Sequence, residues 1–334
     1  MKDNLISVVV CTYNQEDTIA RTLDSILMQQ CHVPFEIIIG EDKSTDKTLS
    51  VCKAYVERHP TIIRLIANEH NKGVVDNYFD CLLKARGQYI ADCAGDDWWT
   101  DVYKLEKEVT VMEQHPRVNI VLTKWNWYDV ASKKLTPCFP PPFSSNIVKG
   151  HDALEAIITQ TNMNVFHLCT SLYRTDVFLK AYHEHHDLFR NDKLVTEDIQ
   201  LMFMMAYYGD IAYLPDVTMN YSVGNLSAST LPDDEKQFRF VYQIMWLCHQ
   251  LTLQFHLNSQ HIEQYFSRRL FALCMHAFRS HNEKLLLTAK ACEKEWHIQR
   301  TMAVNIAYLI MRYKWLWRTT LLLRRFFVAL KRIR

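Results

Sequence analysis

The stretch AGDDWW, Ala94 to Trp99, places two adjacent carboxylates, Asp96 and Asp97, between the apolar run Tyr89-Ile90-Ala91 and two tryptophans. Neighbouring negative charges repel, and they lose solvation when partly buried. Two readings compete: an acidic turn favoured by the positive N-terminus of the next helix, or the anionic half of a cation site. Further chemistry-bearing residues sit at comparable places. Thr12-Tyr13 ends the run ISVVVC, Glu41-Asp42 ends FEIIIG, and Thr196-Glu197-Asp198 opens the apolar stretch Ile199 to Tyr208.

The elements that must position these residues follow from periodicity. Ile6–Cys11 is a β-branched run, the pattern of a strand buried on both faces. Ile19, Leu23, Ile26 and Leu27 then share a helical face, with Asn14 as the expected N-cap. Phe35–Gly40 predicts a second strand, Ser44–Glu57 a helix, Ile62–Ala67 a third strand, Val75–Ala85 a helix and Gln88–Cys93 a fourth strand. Strand–helix alternation with short connections predicts a mostly parallel sheet flanked by helices. Such sheets bind ligands beyond the carboxyl ends of their strands, where Thr12-Tyr13, Glu41-Asp42 and Asp96-Asp97 all fall. Farther on, Asp101–His115 and Ile199–Tyr208 look helical, and Asn119–Lys124, Val165–Tyr173 and Thr218–Val223 look like strands. PCFPPPF, with four prolines in seven residues, excludes helix or central strand and predicts a surface loop. From about residue 233 the pattern is all helical.

Composition excludes several classes. The 334 residues are 49% hydrophobic, enough for a large core and an appendage. A net charge of +1 gives no global field for nucleic acid. Ten cysteines without CxxC or zinc spacing suit reduced thiols in a cytosolic compartment. Neither GxGxxG nor GxxxxGK[ST] occurs among the seven glycines, which disfavours dinucleotide and Walker-type loops. A metal-dependent phosphate hydrolase using Asp42 and Asp96 would want an aspartate nucleophile at the first strand's end, and that position holds Cys11-Thr12-Tyr13.

Four segments in order, SVVVCTYNQEDTIARTLDSIL, FEIIIGEDKSTDKT, HNKGVVDNYFDCLLKARGQYIADCAGDDWW and TEDIQL, resemble the motifs of family 2 glycosyltransferases, over roughly residues 5–225. The resemblance implies a GT-A-like fold and inverting transfer from a nucleotide-sugar, a UDP-sugar being favoured over GDP or dTDP donors. It implies Mg²⁺ or Mn²⁺ held by Asp96, the final acid of a DxD-like motif, with Asp97 assisting at the ribose or donor sugar. Asp42 matches the acid that reads the nucleobase, and Thr12 and Tyr13 flank the base. Lys72 and Asn77 match positions near the nucleotide, although a solvated loop lysine fits Lys72 equally. Asp46 reads more simply as a helix cap. Asp198 matches the catalytic base, with Glu197 orienting it or binding acceptor; an N-cap region is the alternative. The sequence departs from the family pattern at Ala94, where the first DxD carboxylate is missing, and at Ser222 and Gly224, where an Arg and a His are common. His183, His185 and His186 read as surface histidines.

Residues 1–230 are thus expected to form the transferase domain, nucleotide-binding over about 1–100 and acceptor-binding over about 101–230, followed by a helical extension over 231–334. Trp296 to Arg334 holds nine Lys/Arg and no Asp/Glu, which leaves about −8 for the rest. Lys314, Arg318, Arg325 and Arg332 share a helical face, with Leu316, Leu323, Phe327 and Leu330 towards the other. Trp315 and Trp317 are residue types of a membrane–water interface. A basic amphipathic helix lies on anionic lipid, and the longest uncharged run there, Thr301 to Met311, is too short to span. The expectation is an enzyme of cell-surface polysaccharide synthesis, with a glycan or lipid-linked acceptor, peripheral on the cytoplasmic face of the membrane. The alternatives are a helix packed with its basic face in solvent, and a non-catalytic nucleotide-sugar-binding protein on the same fold.

Overall fold

The computed structural model describes residues 2–138, 146–161, 166–224 and 233–333, with side chains of residues 2–3 and 325–333 excepted. The chain divides into two compact units, Met1–Asn225 and Leu226–Arg334.

The first unit begins with β1 (Lys2–Thr12), α1 (Ile19–Leu27), β2 (Phe35–Glu41), α2 (Thr48–Arg58), β3 (Ile63–Ala67), α3 (Val74–Leu82) and β4 (Gly87–Asp92). The pairs β1–β2, β1–β4 and β2–β3 are all parallel. Ile6, Val8, Val9 and Val10 are each at most 1% exposed. Both faces of β1 are therefore covered, which is why its sequence is an unbroken apolar run and does not alternate.

Beyond β5 (Trp98–Trp99) come α4 (Lys104–Gln114), β6 (Val118–Asp129), β7 (Lys134–Pro137), β8 (Ile147–Val148), α5 (Gly150–Thr159), β9 (Leu172–Arg174), α6 (Thr175–Glu184), α7 (Asp198–Tyr208) and β10 (Asp210–Val223). The sheet order is β3-β2-β1-β4-β9-β6-β10-β5, with β7 on β6 and β8 on β10. β9 runs antiparallel to both β4 and β6, so the sheet is mixed. Strict strand–helix alternation stops after residue 100: β6 and β10 still pair in parallel, whereas the short strands β5, β7, β8 and β9 pair antiparallel with their neighbours.

Several boundaries move from the sequence expectation. α2 starts at Thr48, because Ser44 to Lys47 is tied to the loop after β1. Asn14 is no cap: it has φ +53 and its Oδ1 accepts the Thr45 N–H at 2.8 Å. Asp46 does accept the Thr48 N–H at 2.9 Å, as a helix-start residue would. β10 passes through Pro215 by register shifts between Leu214 and Met219, a bulge that admits the missing donor. Of the expected strand Val165–Tyr173 only Leu172 and Tyr173 are extended, within β9; Leu168–Thr170 is a 3₁₀ turn, and Val165 lies outside the described residues. Most of PCFPPPF does too.

The second unit is helical: α8 (Asp234–Gln254), α9 (Gln260–Ser280), α10 (Glu283–Glu295), α11 (Met302–Arg312) and α12 (Lys314–Ile333). Asp233, Ser259, Asn282 and Thr301 cap the first four through side-chain oxygens, as their residue types favour. Trp317 is 1% exposed, and its indole N–H donates to the Phe278 carbonyl at 2.9 Å. Its place is therefore the helical core and not a membrane interface; Trp315, 67% exposed, remains outside. The basic charge is also partly compensated. Lys314 pairs with Glu283 at 2.8 Å and Arg300 with Glu293, both acids of α10. No helix of the described residues is long and apolar enough to cross a membrane.

Candidate active site

The carboxyl ends of β1, β2 and β4 surround a cleft of about 390 Å³, whose walls include Thr12, Tyr13, Asp42, Asn77, Ala94 and Glu197. Asp42 is buried, and its loop organises around it. Oδ1 accepts from the Asn68 amide (2.9 Å) and the Lys72 N–H (2.8 Å), and Oδ2 from the Gly73 N–H (2.9 Å). A carboxylate offers about four acceptor sites, so capacity remains on Oδ2. Asn77 donates to the Gly40 carbonyl and accepts from Asn68, both at 2.9 Å. Gly40 has no alternative, since a Cβ there would sit 2.4 Å from the Cys81 sulfur. The Thr12 hydroxyl donates to Gln15 at 2.8 Å. Tyr13 is 45% exposed and leaves a ring face available for stacking. Lys72 serves this cleft through its backbone only. Its ammonium pairs with Asp80 at 2.7 Å and lines a separate hollow with Arg190 and Asp76.

The acidic turn is clamped from three sides. Gly95 packs so closely on the β1 loop that a Cβ would lie 2.3 Å from Gln15 Oε1 and 2.8 Å from Thr12 Oγ1. Arg21 of α1 donates to the Asp96 carbonyl at 2.9 Å and stacks 3.6 Å over the Trp98 ring. Ser222 of β10 donates its hydroxyl to the Asp96 carbonyl at 2.6 Å and its N–H to Asp97 Oδ1 at 2.8 Å. A small hydroxyl thus stitches β10 to the turn at the position where the family pattern favours an Arg. Trp99 is fully buried and pairs with Met219 of β10. Lys104 covers its ring at 4.7 Å and forms a buried pair with Glu108 at 2.7 Å. The tryptophans anchor the turn.

The two acids of that turn differ. Asp97 is 0% exposed. Burial, with Asp96 beside it, pushes its carboxyl well above the ordinary range. Asp97 faces the protein, and neither acid is part of the cleft wall, which reaches the turn only at Ala94. Asp96 is half-buried. Among the described residues, no three potential ligands gather around it; the one such group is Cys31, His32 and Glu106, where both ring nitrogens of His32 already meet Glu106 and Glu113. A lone carboxylate still fits Mg²⁺ or Mn²⁺ when substrate phosphates complete an all-oxygen set. His183, His185 and His186 form no such group among the described residues.

Glu197 and Asp198 separate in the same way. Glu197 lines the cleft. Desolvation and the neighbouring Asp198 charge push its carboxyl up to about 8. Asp198 starts α7, and its Oδ1 accepts from the Thr196 hydroxyl and, at 2.7 Å, from the Ile199 N–H. These bonds all fall on Oδ1. Burial also raises Asp198, while the bonds from Thr196 and Ile199 hold it down.

Sequence reasoning missed Arg21, Gln15, Trp98 and Asp92. Arg21 was one unremarkable helix position; only the approach of α1 to the acidic turn gives it a role. His167 was missed as well: burial lowers it to about 4, so it is a neutral ring packed 4.2 Å from Tyr221.

With this geometry in place, comparison with known proteins is direct. The family model for glycosyl transferase family 2 matches residues 7–180. The chain belongs to that family. A Bacillus subtilis protein named "Putative glycosyltransferase EpsE" is 36% identical over 41% of this chain and 50% of its own length. The Escherichia coli glucosyltransferase WfgD, named for transfer from UDP-Glc to α-D-GlcNAc-diphosphoundecaprenol, is 28% identical over 50% of this chain and 64% of its own. Uncharacterized mycobacterial proteins are 42% identical, and the match spans about a third of their length. Among solved structures, S. aureus TarS 1-349 in complex with UDP-GlcNAc superposes with a TM-score of 0.61, covering 85% of this chain and 79% of TarS at 21% identity. The fold is therefore GT-A-like, a mixed α/β sheet flanked by helices.

Proposed function

We propose that this chain is an inverting glycosyltransferase, moving a sugar from a nucleoside-diphosphate donor, UDP-linked, to a glycan or lipid-linked acceptor in cell-surface polysaccharide synthesis. The carrying observation is convergence: Thr12, Tyr13, Asp42, Ala94 and Glu197, from four separated segments, wall one cleft, and Asp96 follows Ala94 by two residues. Tyr13 stacks on the base, and the remaining Oδ2 capacity of Asp42 accepts its N–H. Asp96 would hold Mg²⁺ or Mn²⁺, which when bound neutralises charge on the departing diphosphate. Asp97 keeps the turn on β10 through Ser222. Asp198, its Oδ1 fixed by its own helix start, takes the acceptor hydroxyl proton on its other oxygen. Glu197, protonated near neutrality, donates a hydrogen bond to substrate. Two carboxyls pushed to different roles by their surroundings are a familiar division of acid and base.

The acceptor assignment is supported by the lipid-diphosphate acceptor in the name of WfgD and by the second unit. There Met302, Ile306 and Leu309 form an exposed apolar stripe on α11, and Tyr313 after it and Trp315 and Leu322 of α12 are exposed as well. Arg318 and Arg324 are exposed nearby. Apolar and basic groups together suit the cytoplasmic surface of an anionic membrane.

The deciding experiment is calorimetric titration with UDP, GDP and dTDP, with and without Mn²⁺, on wild type and Asp96→Ala. Metal-dependent binding of one nucleotide, lost in the variant, is expected. Binding of none, or binding indifferent to metal and to Asp96, refutes the reading. The departures at Ala94, Ser222 and Gly224 favour one rival, a nucleotide-sugar-binding protein without turnover. Metal-dependent binding with no release of nucleoside diphosphate would establish it.

A further inference from the structure

Asp92, the last residue of β4, lines the cleft, and no step above uses it. It is 3% exposed, and both carboxylate oxygens are buried without a hydrogen-bond partner. Three hydroxyls surround it, those of Tyr78, Tyr173 and Ser171, and their closest bonds are made elsewhere, although the Tyr78–Tyr173 pair uses only one of its two protons. Tyr78 and Tyr173 bond each other at 3.0 Å, and Ser171 donates to the Leu168 carbonyl at 2.8 Å. Burial pushes the carboxyl up to about 7, against the opposing pull of the Tyr78, Tyr173 and Ser171 hydroxyls.

Other buried acids of this unit have at least one oxygen held: Asp97 lacks a partner on Oδ2, but its Oδ1 accepts from the Ser222 N–H. Glu36 accepts from the Ser7 hydroxyl at 2.8 Å, the Arg86 N–H at 3.1 Å and Arg64 at 3.2 Å. Glu108 holds Lys104, and Asp42 holds its loop. Folded proteins satisfy nearly all buried polar groups, because an unmet one is costly and an unmet charge more so. A carboxyl whose two oxygens hold no close hydrogen bond, in the wall of a ligand cleft, has both of them open to a ligand hydroxyl.

A second observation concerns the acidic turn. Its first carboxylate is missing at Ala94, which also lines the cleft. In extended chain, residues two apart share a face and are separated by roughly 7 Å. The acid absent at 94 is thus present one repeat deeper in the same wall. Alanine at 94 contributes only a methyl group there.

We infer that Asp92 is a donor-positioning residue: its carboxyl group binds a hydroxyl of the nucleotide-sugar, in place of the carboxylate missing at 94. The hydroxyl belongs either to the ribose or to the transferred sugar, two polyols of the same chemistry. The inference rests on the transferase reading.

The test uses the full chain and the near-isosteric Asp92→Asn, with Asp92→Leu as a second variant. Wild type is first titrated with UDP, GDP and dTDP plus Mn²⁺. Failure to bind any of them overturns the transferase reading, and this inference with it. Given binding, the matching diphosphate and its glucose and N-acetylglucosamine conjugates are titrated into each variant. The expected result is a loss of about ten- to a hundred-fold in affinity, with a Tm equal to or above wild type, because a buried unpartnered acid has been neutralised. Loss for diphosphate and conjugates alike places the hydroxyl on the ribose; loss for the conjugates alone places it on the transferred sugar. Affinities within two-fold of wild type in both variants overturn the inference. So does a Tm that falls together with affinity in both, which would mark Asp92 as a structural residue only.

Discussion

Exchanging the two acids at the start of α7 gives opposite results if their surroundings divide their roles as argued. Asp198→Asn keeps an Oδ1 that can accept from Thr196 and Ile199, so the helix start survives and stability changes by no more than ~1 kcal/mol. The base is gone. Loss of a positioned general base costs about 10²–10⁴-fold in kcat, which is about 2.7–5.5 kcal/mol of barrier. Glu197→Gln instead replaces a carboxyl held up to about 8 by an amide that still donates, so kcat near pH 7 should fall only a few-fold. The pH profile separates the two further. Wild-type kcat/KM should rise as Asp198 loses its proton and fall above about pH 8 as Glu197 loses its own; Glu197→Gln should remove the alkaline fall. The linkage sign for stability agrees. A carboxyl raised in the folded state stays protonated after the unfolded chain has ionised, so its contribution is lost as pH rises from the ordinary carboxylate range to about 8. Glu197→Gln should flatten that decline in Tm. The assay is release of nucleoside diphosphate across pH 5–10, with nucleotide affinity measured alongside. If Glu197→Gln is as damaged as Asp198→Asn, or if its alkaline limb persists, the assignment of base and donor is wrong.

Other perturbations have clear signs. Gly95→Ala forces a Cβ to 2.3 Å from Gln15 and 2.8 Å from Thr12, so it should cost about 1–3 kcal/mol in denaturant melts and weaken nucleotide binding at the displaced turn. Arg21→Ala removes the Trp98 stack and the bond to the Asp96 carbonyl; a loss of about 1–2 kcal/mol is expected, with a lowered apparent Mn²⁺ affinity in nucleotide titrations. Lys104→Met leaves Glu108 buried without its partner and should destabilise by about 3–5 kcal/mol, whereas Lys104→Met with Glu108→Leu should recover most of it; a double variant no better than the single refutes the ion-pair account. Leu309→Ser with Arg318→Glu, both exposed, should abolish flotation with anionic vesicles while Tm holds. Unchanged flotation removes the membrane reading. Truncation at 306 is the poorer test, since it strips the buried Met311, Trp317 and Leu321.

The sequence by itself determined what periodicity and local chemistry encode. The apolar run of β1 announces a strand covered on both faces, and the alternation through residue 93 dictates parallel neighbours and a ligand edge where Thr12, Asp42 and Asp96 emerge. Those residues were legible because they lie at or within four residues of a strand end. Tertiary structure decided what depends on approach between distant segments. Whether Asp97 faces the cleft or the core turns on Ser222, 125 residues away. Lys72 was indistinguishable from a phosphate ligand until Asp80 took its ammonium, and Trp317 from an interfacial tryptophan until Phe278 accepted its N–H. Asp92 showed least of all, as one polar residue inside an apolar strand. Its meaning is the absence of any hydrogen bond to it, and no local pattern can state which partners a side chain will fail to find.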